Sequence, residues 1–254
     1  MPVSRIIAAL LLTLTFAAIP ANVAKAGYLY VADYDSTPTT GALVNLPINA
    51  QTVSIEPDHS LFEMALMYTP SGGIGDTIEI GVTTDPALNG DSNPHWFVFS
   101  WINGTPRAYD SGSDFVSDIG NFWSTPLTSA EGTSERVGFS YSTNDWWLTL
   151  NGVTAGYFPG SEWGGVFTKS STIEVYGEVY QTGSDTPTLN GTVSGYDSFA
   201  GGQLSTLVVD PPYAQSDASS TGFTAFGPVP EPSTWAMLAA GVGTLLVFGR
   251  RRGW

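Results

Sequence analysis

The sequence predicts an all-β protein, an antiparallel two-sheet β-sandwich, on the basis of three observations. Charged residues make up only 12% of the 254 residues, whereas glycine (29 residues) and proline (17 residues) are plentiful and aromatic residues reach 13%. Short segments in which apolar and polar residues alternate recur at intervals typical of sandwich strands. Between residues 27 and 228 no segment has sustained helical periodicity, so strands are expected to build the core.

Seven strands are predicted in the central part of the chain, separated by glycine, asparagine, aspartate and proline. They cover residues 62–68, 77–82, 96–101, 137–141, 146–150, 153–158 and 173–180. The clearest hairpin joins the fifth and sixth strands through Asn151-Gly152, the residue pair that a type I′ turn prefers. These strands predict one folded domain over residues 59–199.

The regions on either side of this domain are predicted to be less regular. Residues 27–58 contain one short strand candidate, at 28–32, and read as a lead-in segment of modest order. Residues 200–228 are rich in serine, threonine, proline and aspartate, a composition that predicts a spacer between the domain and a membrane.

The first 26 residues have the features of a signal peptide. Arg5 precedes an apolar run over residues 6–19, and Ala24-Lys25-Ala26 forms an A-x-A cleavage site. Signal peptidase is therefore an expected partner, and Gly27 is the expected start of the mature chain. An uncleaved membrane anchor is the alternative, but the apolar run is short for that role.

The last 26 residues contain a motif, an apolar run and a basic terminus, in that order. The motif is Pro230-Glu231-Pro232, the apolar run covers residues 235–248, and three arginines follow at 250–252. The apolar run is shorter than the ~20 residues that span a bilayer. This order resembles the PEP-CTERM sorting tail of Gram-negative bacteria, which an exosortase recognises and cleaves.

The sorting resemblance predicts where residues 229–254 take the protein. It implies an exported protein held first in the inner membrane by a short C-terminal helix. An exosortase would then act on it, and the protein would reach the cell surface or the extracellular matrix. The arginines would stay on the cytoplasmic side, as the positive-inside rule expects.

Charge excludes one class of partner. Away from the two ends only Arg107, Arg136 and Lys169 are basic, whereas of the 23 acidic residues only Glu231 lies in an end segment. Such an acidic body repels the phosphate backbone, so nucleic acid is not expected to bind.

Cysteine and histidine usage limits the possible chemistry. The chain has no cysteine, which excludes disulfides, thiolate catalysis and cysteine zinc sites. Its two histidines, His59 and His95, accompany no nucleophile-elbow pattern. Combining His95 with Asp91 or Asp85 matches no familiar metal-ligand spacing. No metal or other cofactor is therefore predicted.

Carboxylates remain as candidates for catalysis. In the strand at 173–180, apolar residues occupy one face, and the other face carries Glu174, Tyr176, Glu178 and Tyr180. The strand at 77–82 likewise places Glu79 opposite an apolar face. Two carboxylates close together cannot both ionise easily, so a pair can offer a base and an acid at once. On spacing alone, however, solvated surface residues are the simpler interpretation.

A family resemblance favours the catalytic interpretation. Residues 59–180 are similar to the neprosin family of glutamic peptidases in seven ordered segments. These segments are 59–60, 78–81, 94–98, 115–116, 144–147, 156–159 and 176–179. The resemblance covers about half of the chain, and the ordered set is more specific than any one segment.

The resemblance implies a β-sandwich with two catalytic glutamates in a cleft on one sheet, namely Glu79 and Glu178. It implies an endopeptidase that needs no cofactor and uses water, with one glutamate ionised as the base and the other protonated as the acid. Acidic pH is expected for activity. Tyr176 and Tyr180, on the face of Glu178, are candidates for binding an extended peptide substrate. Glu174 lies on that face but outside the motif, as a neighbour.

Two other function classes remain open at this stage. An exported sandwich with exposed aromatic residues could be a non-catalytic surface or matrix module that binds carbohydrate or protein. The tryptophans considered for this role are Trp123, Trp146, Trp147 and Trp163. Paired carboxylates could instead serve a glycosidase. A peptidase requires Glu79 and Glu178 in one cleft, whereas a binding module requires coplanar exposed aromatic rings.

Overall fold

Two antiparallel sheets enclose the core, as the alternating sequence pattern predicts. The computed structural model describes residues 27–49, 51–53, 56–70, 75–107, 114–182 and 187–228. Within these ranges nearly all regular structure is β, and one four-residue helix, α1 (Pro86–Asn89), and three short 3-10 turns lie in the connections. The predicted fold class, an antiparallel two-sheet β-sandwich, is confirmed.

Fifteen strands occur in the described part of the chain. They are β1 (Gly27–Asp35), β2 (Gly41–Ile48), β3 (His59–Tyr68), β4 (Asp76–Thr84), β5 (His95–Ile102), β6 (Thr105–Pro106), β7 (Val116–Ser117), β8 (Thr133–Ser142), β9 (Asp145–Leu150), β10 (Val153–Pro159), β11 (Thr172–Gln181), β12 (Leu189–Ser198), β13 (Ser205–Val209), β14 (Ala214–Ser219) and β15 (Gly222–Gly227).

The strands form one sheet of seven and one of eight. The first has the order β13-β1-β11-β3-β4-β5-β6, and the second has the order β14-β15-β12-β2-β8-β9-β10-β7. All seven strands predicted in the central region lie within observed strands. The Asn151-Gly152 turn joins β9 to β10 with positive φ at both residues, as a type I′ turn requires.

Strand β11 shows how the pattern directs side chains. Ile173, Val175 and Val179 are fully buried between the sheets. The side chains at the alternate positions 172, 174, 176, 178 and 180 face outward and are partly exposed. Because Gly177 also faces the core, a Cβ there would lie 2.8 Å from the Leu189 side chain of the opposite sheet. The missing side chain allows the two sheets to approach closely beneath the outward-facing residues of β11.

The prediction of a loosely ordered lead-in over residues 27–58 was wrong. Strand β1 pairs with β11 and β13, and β2 pairs with β12 and β8, so both are internal strands of their sheets. In β1, Asp33 and Asp35 are almost fully buried and interrupt the apolar alternation. Their partners are distant in sequence, since Gln215 donates to Asp33 at 2.7 Å and the Tyr196 hydroxyl donates to Asp35 at 2.7 Å.

The predicted spacer over residues 200–228 also differs from the structure, because β13, β14 and β15 lie within it. Strand β13 extends the first sheet beside β1, and β15 extends the second beside β12. Strand β14 exposes polar Asp217 and Ser219, as a spacer would, whereas β13 exposes apolar Leu207 and Val209. Buried Phe223 and Ala225 hold the segment on the core. The folded unit therefore extends from residue 27 to residue 227, rather than over the predicted 59–199.

The two predicted sorting segments, 1–26 and 229–254, lie outside the described residues. They include Ala24 and Ala26 of the cleavage site and Pro230, Glu231 and Pro232 of the sorting motif. Within the described ranges, no helix is long and apolar enough to cross a membrane.

The close approach at Gly177 can be tested by substitution. We expect Gly177→Ala to lower the free energy of unfolding by about 1–3 kcal/mol, because the added methyl group overpacks the core against Leu189 and Phe62. Urea unfolding measures this change. Gly75→Ala is the matched control, since its Cβ would meet only ordinary contacts at 3.4 Å, and a change within about 0.5 kcal/mol is expected. Equal stability of the two variants would contradict the packing argument.

Candidate active site

A cleft of about 560 Å³ lies on the outer face of the seven-stranded sheet. Most of its walls come from strands β1, β11, β3, β4 and β5. Asp85, which precedes α1, also lines the cleft. Its lining residues are Tyr28, Tyr30, His59, Leu61, Glu63, Glu79, Asp85, Leu88, Phe99, Trp101, Pro106, Tyr176 and Glu178. The two predicted glutamates therefore share one cleft, and His59 is the only basic side chain among these lining residues.

Strand register fixes the arrangement of Glu79 and Glu178. Strand β3 lies between β4 and β11, so the two glutamates are on strands that flank a third. Across β3, Glu79 pairs with Ala65, whereas Glu178 pairs with Leu61. The two glutamates are therefore offset along the sheet by four residues of β3.

A third carboxylate, Glu63, lies on β3 midway along this diagonal. It pairs with Tyr176 on one side and Gly81 on the other. Gly81 gives it room, because a Cβ there would lie 2.7 Å from the Cβ of Glu63 and 2.4 Å from the ring of Phe97. The cleft face thus carries glutamates on three adjacent strands.

Glu79 has the environment of a protonated acid. It is 9% exposed, and its Oε1 accepts a hydrogen bond of 3.0 Å from the Trp101 indole. Burial raises the pKa of Glu79 to about 8, the Trp101 hydrogen bond opposes this shift, and the negative charge of Glu178 adds to it. The Glu79 carboxyl therefore keeps its proton at acidic and neutral pH.

Glu178 has hydrogen-bond donors that suit an ionised carboxylate. His59 Nε2 lies 3.0 Å from its Oε1, and the Tyr30 hydroxyl also hydrogen-bonds to it. The second ring nitrogen of His59, Nδ1, lies 3.9 Å from Asp85 Oδ2. Strand β3 thus supplies the basic partner that the acidic face of β11 lacks in sequence.

Glu63 is the most enclosed of the three carboxyls. It is 2% exposed, and the Tyr176 side chain donates a hydrogen bond to it. Its Oε1 is buried and has no hydrogen-bond partner in the described part of the chain. Burial raises the pKa of Glu63 well above its usual range, and the charges of Glu79 and Glu178 raise it further.

Aromatic side chains surround these carboxyls. Tyr176, a predicted substrate-binding residue, lines the cleft and packs edge-on against Tyr30 at 5.9 Å. Tyr180, the other predicted substrate-binding residue, is not among the residues that line the cleft. It packs at the rim of the cleft against Tyr28 at 4.7 Å and His59 at 5.5 Å, measured between ring centroids.

Sequence reasoning did not assign Glu63, His59 or Trp101 to the site. One signal for Glu63 was available, since it is a lone carboxylate in an otherwise largely apolar strand. No comparable signal marked Trp101, because an indole in a strand is equally typical of a core residue.

The remaining titratable candidates have ordinary roles. His95 is buried between Asp91 Oδ1, at 3.2 Å from Nε2, and the Trp123 carbonyl, at 3.0 Å from Nδ1. In the described ranges no cluster of three or more histidine, cysteine or acidic residues could hold a metal ion.

A carbohydrate-binding module would need exposed tryptophan rings, and two of the four candidate tryptophans are buried. Of the four tryptophans considered for sugar stacking, Trp146 and Trp163 are buried in the core, at 0% and 5% exposure. The expectation that both are exposed was wrong. Their indoles instead donate to the backbone carbonyls of Phe167 and Trp101.

Comparison with known families decides the classification. The sequence profile of the family described as Neprosin matches residues 56–203, which is more than half of the chain. The protein belongs to the neprosin family. A second profile, the PEP-CTERM protein-sorting motif, matches residues 228–252. This motif indicates export in Gram-negative bacteria with sorting to the surface, so both predicted resemblances are confirmed.

One solved structure of a glutamic peptidase supports the fold of this neprosin-family chain, and a second is similar at a lower score. Scytalido-glutamic peptidase with a transition state analog inhibitor matches with a TM-score of 0.50 and 10% identity, covering 81% of this chain and 100% of that chain. SCP-B, a member of the Eqolisin family in a complex with a tripeptide Ala-Ile-His, matches with a TM-score of 0.43, 10% identity and the same coverage. At this identity the similarity concerns the fold alone.

The hydrogen bond to Glu79 makes a specific prediction. The Trp101 indole donates to Glu79 and thereby favours its ionised form. Because Trp101→Phe removes this donor, the pKa of Glu79 should rise above about 8, by roughly one unit. Carbon-13 NMR of the glutamate carboxyls measures this shift. Trp147→Phe is the matched control, because its indole donates to Ser142 and Thr143 instead. An unchanged or lowered Glu79 pKa would contradict the described contact.

The raised Glu79 pKa also predicts how stability depends on pH. Between the ordinary carboxyl pKa of 4.5 and about 8, the folded state keeps a proton that the unfolded state releases. Stability should therefore be greatest below this window and fall as pH rises through it, by an amount on the order of a few kcal/mol.

Urea unfolding at pH 5 and pH 8 tests this sign. Glu79→Gln should reduce the difference in unfolding free energy between the two pH values, whereas Glu131→Gln, at an exposed position, should preserve it. If Glu79→Gln kept the full wild-type difference in unfolding free energy between pH 5 and pH 8, Glu79 would be excluded as the source of that difference.

Proposed function

We propose that this protein is an exported glutamic endopeptidase that hydrolyses peptide bonds with Glu79 and Glu178 and without a cofactor. The observation that carries the proposal is the unequal environment of two carboxyls in one cleft. Glu79 is buried with a single indole donor, and Glu178 accepts hydrogen bonds from His59 and Tyr30. One fold thereby keeps an acid and a base ready at the same pH.

These environments support one division of the two roles. We assign Glu178 as the base, because it accepts hydrogen bonds from His59 and Tyr30. Glu79 is the acid, because burial keeps its proton in place below about pH 8. The titration belongs to the coupled pair, so each role depends on the charge of the other carboxyl.

The chemical step uses one water and one peptide carbonyl. Glu178 accepts a proton from the water as the water oxygen bonds to the carbonyl carbon, and Glu79 gives its proton to the carbonyl oxygen. The tetrahedral intermediate is then neutral. Glu178 then gives its proton to the leaving nitrogen as the carbon–nitrogen bond breaks. The hydroxyl formed from the carbonyl oxygen returns its proton to Glu79, so the products are a carboxylic acid and an amine and both side chains are restored.

The walls of the cleft are suited to an extended peptide. Tyr176 and Tyr30 line one side, and Phe99 and Trp101 line the other. Aromatic rings of this kind bind apolar side chains through large contact areas. Tyr180 contributes at the rim, where it supports Tyr28 and His59.

The export route follows from the two ends of the chain. Signal peptidase would cleave after Ala26 in the A-x-A site, and an exosortase would act on Pro230-Glu231-Pro232. Before that processing, the C-terminal apolar segment would hold the protein in the inner membrane. The mature peptidase would then act at the cell surface or in the extracellular matrix.

Mutation of either glutamate tests the proposed activity. Glu79→Gln and Glu178→Gln should each lower kcat by at least about 100-fold on a denatured protein substrate at pH 3–6, because each removes one of the two proton transfers. Wild-type activity should fall as pH rises through about 8, where Glu79 ionises. Circular dichroism would establish that each variant is folded. Glu162→Gln, distant in sequence from both, serves as the control. Full activity in either site variant would refute the pair.

A further inference from the structure

The third glutamate of the cleft has no role in the chemistry described above. Glu63 is on the strand between those of Glu79 and Glu178, and its two register partners are Tyr176 and Gly81. Glu79 and Glu178 pair with β3 two residues to either side of it. Each is therefore a diagonal neighbour of Glu63, and Glu63 occupies the position between them.

The enclosure of Glu63 indicates a neutral side chain. It is 2% exposed, and no lysine or arginine is among the residues that line the cleft. His59, the basic lining residue, hydrogen-bonds to Glu178 rather than to Glu63. The titratable groups that act on Glu63 are Tyr30 on β1, Tyr176, Glu174 and Glu178 on β11, and Glu79 on β4. All of these are neutral or negative, so none of them favours a charge on Glu63.

A neutral carboxyl can both donate and accept a hydrogen bond. Its O–H donates and its carbonyl oxygen accepts, whereas an ionised carboxylate only accepts. Tyr176 donates to Glu63, yet Oε1 has no partner among the described residues. A buried polar atom without a partner is costly, which indicates that this oxygen has a partner when the site works.

We propose that Glu63 is a positioning residue that stays protonated and joins Glu79 to Glu178 in one hydrogen-bonded chain. In the absence of substrate, the Glu79 O–H donates to the Glu63 carbonyl oxygen and the Glu63 O–H donates to the ionised Glu178, each through one cleft water. When a peptide binds, its carbonyl oxygen replaces this water as the acceptor of the Glu79 proton. This chain fixes the direction of the protons, so that Glu79 remains the acid and Glu178 the base. The inference rests on the proposed peptidase function and adds a residue to it.

Two substitutions separate this role from a structural one. Glutamine has the shape of protonated glutamate and both donates and accepts, so Glu63→Gln should retain kcat within about threefold. Leucine has a similar volume without polar atoms, so Glu63→Leu should lower kcat by roughly 10- to 100-fold and change KM little. Because leucine leaves the Tyr176 hydroxyl without its acceptor, the urea midpoint is compared in a Tyr176→Phe background, where Glu63→Leu should equal or exceed its parent since no buried donor is left unpaired.

Three kinetic outcomes would overturn the proposal. Full activity in Glu63→Leu would show that the chain is unnecessary. Equal losses in Glu63→Gln and Glu63→Leu would show that Glu63 must ionise or exchange its proton. A loss of kcat in Glu63→Leu together with a lower urea midpoint of the same substitution in the Tyr176→Phe background would indicate a structural role.

A titration makes the test independent of hydrolysis. In Glu63→Leu the pKa of Glu79 should fall by roughly half a unit, because its proton loses an acceptor, and in Glu63→Gln it should stay near the wild-type value. Carbon-13 NMR of the carboxyls follows both variants. If the wild-type protein hydrolyses no peptide, the proposed function fails, while this titration still decides the role of Glu63. An unchanged Glu79 pKa in Glu63→Leu would overturn the inference.

Discussion

The site depends on the electrostatic conflict among glutamates held on adjacent strands of one sheet. Glu79, Glu63 and Glu178 share a cleft whose only basic lining residue is His59. With so little compensating charge, these carboxyls cannot all ionise, and burial decides which of them keep a proton. His59 and Tyr30 stabilise a charge at Glu178, and no comparable donors surround Glu79 beyond one indole. Under the proposed function, the division into acid and base is therefore a property of position within the sheet, since the side chains are chemically identical.

The sandwich holds these mutually repelling carboxylates on a rigid sheet. The outward-facing glutamates alternate with fully buried Val175 and Val179 on β11, and with Ile78 and Ile80 on β4. Moving one of these glutamates to the other face of the sheet would require its strand to shift by one residue, which would expose the apolar face of the strand. The apolar core thus stabilises an acidic surface that would be unfavourable on its own. Placing the site on strands rather than loops also keeps the separation of the carboxyls fixed.

The sequence predicted the features that repeat along a strand, but not those set by neighbouring strands. Alternation and turn residues identified the strands of Glu79 and Glu178, and the family resemblance selected these two from many acids. The order of the strands in the sheet follows from long-range pairing, which alternation does not encode. Glu63 and His59 enter the site only because β3 lies between β4 and β11. Only residues 28–32 of β1 were predicted as a strand, and its extension through Asp33 was missed for the same reason, since buried Asp33 acquires its partner from Gln215, 182 positions away.

The last strand limits how far the chain can be shortened at its C-terminal side. Strand β15 ends at Gly227, and the match to the sorting motif begins at residue 228. Strand β15 pairs with β12 and buries Phe223 and Ala225, so a shortened protein that lacks the sorting segment must keep residue 227 to leave the second sheet intact.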